Sequence, residues 1–415
     1  MYLNNQRLIS QLNETLLKSQ NSVFYKSLFG QIKDIPYPIS SIEQFQKIPF
    51  TTKQDLRERS PFDFLTTSFS EVRRIHSSSG TKGCPTIVFY SDHDLDVWDK
   101  HLAYCFEISG LSPGDVFQTI NGYGLFSGGL GFQRAAEKYG MTVIPIGMGN
   151  TERQVQFLQR FKVNGIITIS SYLPILANYL LRSKIDPKKE LSSLKAILIG
   201  AEPINTSLKN DLSAFFGVPV LSIYGLSEVE GPGVAVECVH GGGMHILSDS
   251  FYTEVIDPNS LCPLPYGEEG ELVITTLDRE CMPLVRYRTG DITTISLNSN
   301  CCESIYPLKM DYVNRRIDDM VIVRGVNVYP YQIQEIVQTH SKWINPFFQL
   351  IIDPGDNLSL LLSAKQSKRD LQSLETSIKN DIKEWLSLRM SIVWKEDSYF
   401  MSSKGKAKPI IDNRI

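Results

Sequence analysis

Residues 196–228 read AILIGAEPINTSLKNDLSAFFGVPVLSIYGLSE. An apolar run at 196–199 breaks into the loop GAEP, a helical stripe of Leu208, Leu212 and Phe215 closes at Gly217, and a second apolar run at 220–224 ends in GLSE. Short apolar runs on either side of an amphipathic helix specify buried parallel strands joined by a crossover, since a strand covered on both faces need not alternate. The same unit recurs upstream, where 116–120 runs into NGYG, 142–146 into GMGN and 166–169 into SSY. Between them Thr151 and Gln154 make a capping-box pattern ahead of Val155, Leu158 and Phe161. The segment from about residue 115 to 224 is therefore α/β with a mostly parallel sheet. Each strand ends in a small or polar loop, and ligands of open α/β sheets lie beyond the carboxyl ends of the strands.

After about residue 318 the order changes to strand (320–323), helix (near 332–339), strand (347–352), strand (358–363), helix (near 370–386) and strand (391–394). That is the split βαβ order of a ferredoxin-like domain. The expected organisation is a large α/β domain over 1–317, a small α+β domain over 318–415, and a polar hinge at 314–319.

With 415 residues, 42% hydrophobic and 21% charged, the chain can bury at least one large core. A net charge of −3 supplies no basic field for nucleic acid, and by charge alone Lys404, Lys406, Lys408 and Arg414 read as a solvated tail. The start, MYLNNQRLISQLNETLLKSQ, is amphipathic without a signal-peptide core, and no stretch approaches about eighteen apolar residues. A cytoplasmic protein without membrane partners is expected. Seven scattered cysteines suit reduced thiols, or a metal site using some of them.

Two segments carry chemistry. HSSSGTKGCPT, 76–86, offers hydroxyls from Ser77, Ser78, Ser79 and Thr81, while Gly80 and Gly83 let backbone approach anionic oxygens. It suits a polyphosphate, but it is not a Walker loop, because Gly83 is followed by Cys84 and Pro85 rather than Lys and Ser or Thr. In YGLSEVEGPGVAVEC, 224–238, Tyr224 can stack on a base, Ser227 can reach phosphate or metal, and Glu228 supplies a hard oxygen for Mg²⁺.

These segments, with PFTTKQDLRE (49–58), NGYGLFSGGLG (121–131), GNTERQV (149–155), GAEP (200–203), MPLVRYRTGD (282–291), RRIDDMVIVRGVNVYP (315–330) and GKAKPIID (405–412), occur in the order found in phenylacetate-CoA ligases. The chain resembles that family over essentially its whole length, within the superfamily of acyl-CoA synthetases, peptide-synthetase adenylation domains and luciferases.

The resemblance implies AMP-forming activation of an aryl or arylacetic acid by ATP, then transfer to coenzyme A; the alternatives are an adenylation enzyme that loads the phosphopantetheine of a carrier protein, and a degenerate nucleotide-binding protein. ATP and AMP would meet Ser77, Ser78, Ser79, Gly80 and Thr81; Gly200, Ala201, Glu202 and Pro203; Tyr224, Gly225 and Ser227; Asp291 at the ribose; and Arg316. Glu228 would hold Mg²⁺ and Lys406 would be the catalytic lysine. Tyr123, Gly124, Phe126, Gly128 and Gly129 would line the acid pocket. Asp318 would be the hinge, and Gly325 would lie where the thiol approaches. A structural Zn²⁺ would use Cys238, His245, Cys301 and Cys302, and a homodimer is compatible with the sequence. The chain departs from the family at Thr81-Lys82-Gly83-Cys84, where Thr-Thr-Gly-Lys is usual, and at Arg315-Arg316, where Gly-Arg is usual.

Overall fold

The computed structural model describes residues 5–31, 37–78, 85–125, 127–297, 304–313, 315–317, 321–324, 326–365, 371–401 and 409–414. The chain divides into two compact units, one of residues 1–202 and 213–312, the other of residues 203–212 and 313–415.

The strands of the first unit are β1 (Arg74–Ser77), β2 (Ile87–Tyr90), β3 (Val116–Ile120), β4 (Thr142–Ile144), β5 (Gly165–Ile169), β6 (Ala196–Gly200), β7 (Val220–Leu226), β8 (Gly231–Glu237), β9 (Met244–Ile246), β10 (Phe251–Ile256), β11 (Glu269–Thr276), β12 (Tyr287–Leu297) and β13 (Leu308–Met310). β1 and β2 form an antiparallel hairpin of their own. The others run through one sheet in the order β10-β11-β12-β13-β9-β8-β7-β6-β5-β3-β4.

From β4 to β7 every pairing is parallel, as the apolar runs require. β4 stops at Ile144, short of the expected 146, because Pro145 has no N–H to give to a ladder. From β7 to β10 the sheet is antiparallel, so the parallel reading holds for only part of it. β3 lies between β4 and β5, so the connections out of β3 and β5 run to opposite sides, which makes the carboxyl ends of these two strands the topological switch point of the sheet.

Two local expectations are corrected. The helix Thr151–Arg160 is capped by Asn150, in left-handed backbone, whose side chain accepts from Arg153 N–H. Gln154 instead spans to Gln118 and to the Gly147 and Gly149 carbonyls, while Phe161, just past the helix, is exposed. In the helix Thr206–Phe216 the fully buried ring is Phe216, not Phe215.

The second unit holds β14 (Arg315–Arg316), β15 (Val321–Val323), β16 (Val326–Val328), β17 (Ile344–Asp353), β18 (Asn357–Ala364), β19 (Ser391–Trp394) and β20 (Ile410–Asp412). Its four-stranded sheet runs β19-β18-β17-β20 and shares a core with the helices Pro330–Thr339 and Leu371–Leu386, through Ile333, Ile336, Leu360, Leu362, Ile378 and Ile382. The α+β character is as expected. The strand expected first pairs instead with β16 as a hairpin, and β20, parallel to β17, completes the sheet. Among the described residues no helix is long and apolar enough to cross a membrane.

Candidate active site

The best-defined part of the site lies where β7 meets β12. Tyr224 donates its hydroxyl to Asp291 Oδ2 at 2.6 Å, joining two residues 67 apart in the chain. Both side chains are placed by irregularities in their strands. In β12 the register slips between the pairs Glu271–Ile292 and Val273–Arg288, and Gly290, at φ 77°, turns the backbone so that buried Asp291 faces Tyr224. In β8 the register slips opposite Tyr224, and Gly225 lets the chains close together: a Cβ there would stand 1.9 Å from the Gly231 carbonyl oxygen.

Glu228 sits at the tip of the β7–β8 hairpin, only 4% exposed. Its Oε1 has no hydrogen-bond partner among the described residues, and the nearest cation is Lys53 Nζ at 3.6 Å. A buried carboxylate oxygen left without a donor is a costly arrangement in the protein alone, and it is the hard oxygen a divalent cation takes. The residues here fit Mg²⁺.

Lys53 lies in PFTTKQDLRE, where the sequence assigns it no role. It begins the helix Lys53–Glu58, closed by a capping box between Thr52 and Asp55. Thr51 bolts that helix to β12: its N–H donates to Arg286 O and its carbonyl accepts from Arg288 N–H, while its hydroxyl meets Tyr25 OH. The signal was there, a lone lysine after two threonines, but nothing local says that the segment reaches β12.

The phosphate-loop residues Ser77 and Ser78 end the β1 side of the hairpin. Ser78 N–H donates to Thr86 O and Thr86 N–H to Ser78 Oγ, which closes the base of the loop. In GAEP, Gly200 allows the Ile223 carbonyl to approach, since a Cβ would be 2.8 Å from its oxygen, and Ala201 is left-handed at φ 68°. Glu202 caps the helix Tyr172–Arg182, its carboxylate accepting from Ser171 N–H at 3.0 Å. Ser227 Oγ is 3.2 Å from Ser127 Oγ, which ties the hairpin tip to the acid-pocket segment.

In that segment Tyr123 hydrogen-bonds Thr119 Oγ1 at 2.6 Å, and its half-buried hydroxyl has a raised pKa, chiefly through burial. Gly129 and Gly147 leave space for its ring: a Cβ at either would lie 3.4 or 3.6 Å from a ring carbon. Gly129 is also obligatory for the Gly122 carbonyl, 2.6 Å from such a Cβ. Gly128 meets nothing closer than 3.5 Å, whereas Gly124 is required by φ 117°. Asn121 Oδ1 and Thr168 Oγ1, at the ends of β3 and β5, are buried without a hydrogen-bond partner among the described residues.

Cys238 and His245 are both buried and lie on one face of the β8–β9 ladder, where Val236 pairs with His245. His245 Nδ1 donates to Tyr306 O at 2.7 Å, and burial lowers its pKa. Lys309 pairs with His245 from β13, and its Nζ donates to Gly241 O at 2.8 Å, 4.0 Å from Cys238 Sγ. Among the described residues no group of three His, Cys, Asp or Glu could hold a metal ion.

Ser79, Gly80, Thr81, Phe126, Cys301, Cys302, Asp318, Gly325 and Lys406 lie outside the described residues. Pro203 and Arg316 belong to the second unit.

A paired aromatic and carboxylate beyond a parallel sheet, a buried cation-seeking glutamate and a hydroxyl-rich hairpin loop define a nucleotide-using α/β enzyme with a separate α+β unit. The AMP-binding enzyme family matches residues 75–277, and the C-terminal domain of AMP-binding enzymes matches 325–414. The chain is 37% identical to the phenylacetate-coenzyme A ligase of Aromatoleum evansii over 95% of its own length and 91% of that protein. It is 40% identical to that of Thermus thermophilus over 79% of this chain and 73% of the relative. Its fold is similar to that of 2-hydroxyisobutyryl-CoA ligase in the postadenylation state, with a TM-score of 0.88 and 24% identity over 99% of this chain and 90% of that one. The chain belongs to the phenylacetate-CoA ligase family of AMP-binding enzymes. It is an ATP-dependent, AMP-forming ligase that makes an acyl-adenylate and then a coenzyme A thioester.

Proposed function

We propose that the acid is an arylacetic acid and that the residues above divide the work as follows. The observations that carry the site assignment are the Tyr224–Asp291 contact and, four residues further along the chain from Tyr224, a buried Glu228 whose Oε1 lacks a hydrogen-bond donor among the described residues. Asp291 accepts from the ribose hydroxyls, and Tyr224, held by Asp291, forms one wall of the adenine site with Glu202. Ser77, Ser78, Ser79, Gly80, Thr81 and Ser227 donate to the phosphates. Glu228 would hold Mg²⁺, which when bound neutralises charge on the phosphate oxygens.

The carboxylate is already a nucleophile, so the protein's task is to place it in line with the α-phosphorus and to stabilise the charge that develops there. Tyr123, Gly124, Phe126, Gly128 and Gly129 seat the acid; the aromatic ring between glycines suits a flat aryl group. The related phenylacetate-coenzyme A ligases support the same acid class.

The domain division at 317/318 is proposed as functional. Arg316, just before that division, and Lys406, beyond it, are the residues that the family resemblance assigns to the nucleotide and to the carboxylate and α-phosphate. Asp318 is the pivot, and Gly325 brings backbone to the thiol. A cytoplasmic location fits both the acidic composition and free coenzyme A as substrate. For a structural zinc site, Cys238 and His245 share a face, but the Lys309 ammonium lies 4.0 Å from Cys238 Sγ. Metal analysis of chelator-free protein decides it: about one zinc per chain supports the site, and a trace amount rejects it.

A panel of carboxylic acids in the exchange of labelled pyrophosphate into ATP tests the substrate class. Arylacetates should give the highest exchange, and a clear preference for aliphatic acids would overturn it.

A further inference from the structure

His76 is wholly buried at the start of the phosphate-loop segment, and its imidazole is enclosed by other rings. Tyr90 and Trp98 meet it edge-on, with centroids 5.3 and 6.0 Å away, and stack on each other at 5.5 Å. Trp98 is held from the remaining sides by the other motifs. Its Nε1 donates to Pro232 O at 2.7 Å, and a Cβ at Gly131 or Gly231 would come within 2.3 or 2.5 Å of its ring. Tyr90 donates to Glu230 O at 2.6 Å. One aromatic pillar thus touches the phosphate strand, the acid-pocket helix and the β7–β8 hairpin.

Among the described residues the imidazole of His76 makes one hydrogen bond. Its Nδ1 lies 3.0 Å from the carbonyl oxygen of Leu125, which also accepts from Ser77 N–H at 2.9 Å. Leu125 follows Tyr123 and Gly124 and precedes Ser127, whose hydroxyl meets Ser227. A carbonyl facing Nδ1 requires that nitrogen to carry the proton, so Nε2, which has no partner among the described residues, is bare. A planar donor fixed by two rings sets the direction of the carbonyl more tightly than the single Ser77 bond would.

We propose that His76 is a positioning residue that clamps the acid-pocket segment to the phosphate loop through the Leu125 carbonyl, so that filling the acid site and ordering ATP help each other. The proposal rests on the adenylation reading of the site. The linkage is reciprocal: bound acid holds Leu125 in place, Leu125 fixes Ser77, and a fixed Ser77 favours phosphate binding in turn.

The test measures apparent affinity for phenylacetate in pyrophosphate exchange at low and at saturating ATP. The wild-type chain should bind the acid about fivefold or more tightly at saturating ATP. His76→Phe keeps an aromatic ring on the pillar and removes the donor, so the ratio should fall towards one. His76→Asn, whose amide nitrogen sits where Nδ1 does, should restore it, and His76→Gln should not. A wild-type ratio of one, or a His76→Phe ratio equal to wild type, overturns the clamp while leaving the adenylation reading standing. No acid-dependent exchange by the wild-type chain overturns both. If the variants do not fold, nitrogen NMR of the wild-type imidazole decides: the Nδ1–H tautomer supports the clamp, and the Nε2–H tautomer overturns it.

Discussion

A carboxylate as buried as Glu228, with one oxygen lacking a donor, is stable only beside positive charge, and Lys53 at 3.6 Å is the cation the protein supplies. Glu228→Gln keeps the shape and removes the charge, so Mg²⁺-dependent pyrophosphate exchange should fall by orders of magnitude; unchanged exchange at limiting Mg²⁺ would refute the assignment. At Tyr224 the expected effect is smaller. Tyr224→Phe removes a hydrogen bond to a carboxylate, worth about 2 kcal/mol, so the KM for ATP should rise about tenfold or more with little change in the KM for the acid. Thiol chemistry separates four cysteines at the same scale. Cys105, Cys238 and Cys281 are buried and Cys262 is exposed; burial raises the Cys105 thiol and pushes Cys281 up to about 11. Of these four, native labelling followed by peptide mapping should find only Cys262 modified.

At the scale of elements, the close approach of β7 to β8 depends on Gly225. Gly225→Ala drives a Cβ into the Gly231 carbonyl, backbone against backbone, and should cost about 3 kcal/mol, seen as a lower denaturation midpoint with an unchanged slope. Gly128→Ala meets ordinary space and should leave stability nearly untouched. The parallel strands were legible because their residues are apolar and need no partners. The antiparallel half was not, because its strands bury charge in pairs invisible to a linear reading: Arg286 with Glu254 at 2.9 Å, and Arg288 with Glu271 at 2.6 Å. Such residues look like surface. The site was legible for a related reason. Glycines and carboxylates in YGLSE, GAEP and YRTGD stand out against apolar runs, whereas the roles of Lys53 and His76 come from long-range contacts with Glu228 and Leu125.

For the whole molecule, pH and domain action give separate tests. Burial lowers the pKa of both His76 and His245 from 6.5. The unfolded chain therefore binds protons that the folded chain resists, so the stability these groups contribute is present above about pH 6.5 and is lost as pH falls. The melting temperature should drop between pH 7 and pH 5.5, and His76→Asn should shallow that slope; an equal slope in the variant would exclude His76 as a source. If the second unit serves the two half-reactions in turn, Lys406→Ala should abolish pyrophosphate exchange yet still make thioester from supplied acyl-adenylate. Gly325→Leu should do the reverse. Equal loss of both half-reactions in folded variants would contradict alternation.

The most direct measurement follows nucleotide products from the purified chain with ATP, Mg²⁺ and phenylacetate, before and after coenzyme A is added. Pyrophosphate should exchange into ATP only when the acid is present, and coenzyme A should then convert the mixture to AMP, pyrophosphate and phenylacetyl-coenzyme A in equal amounts. Cleavage of ATP to ADP and phosphate, or exchange that ignores every carboxylic acid offered, would contradict the account.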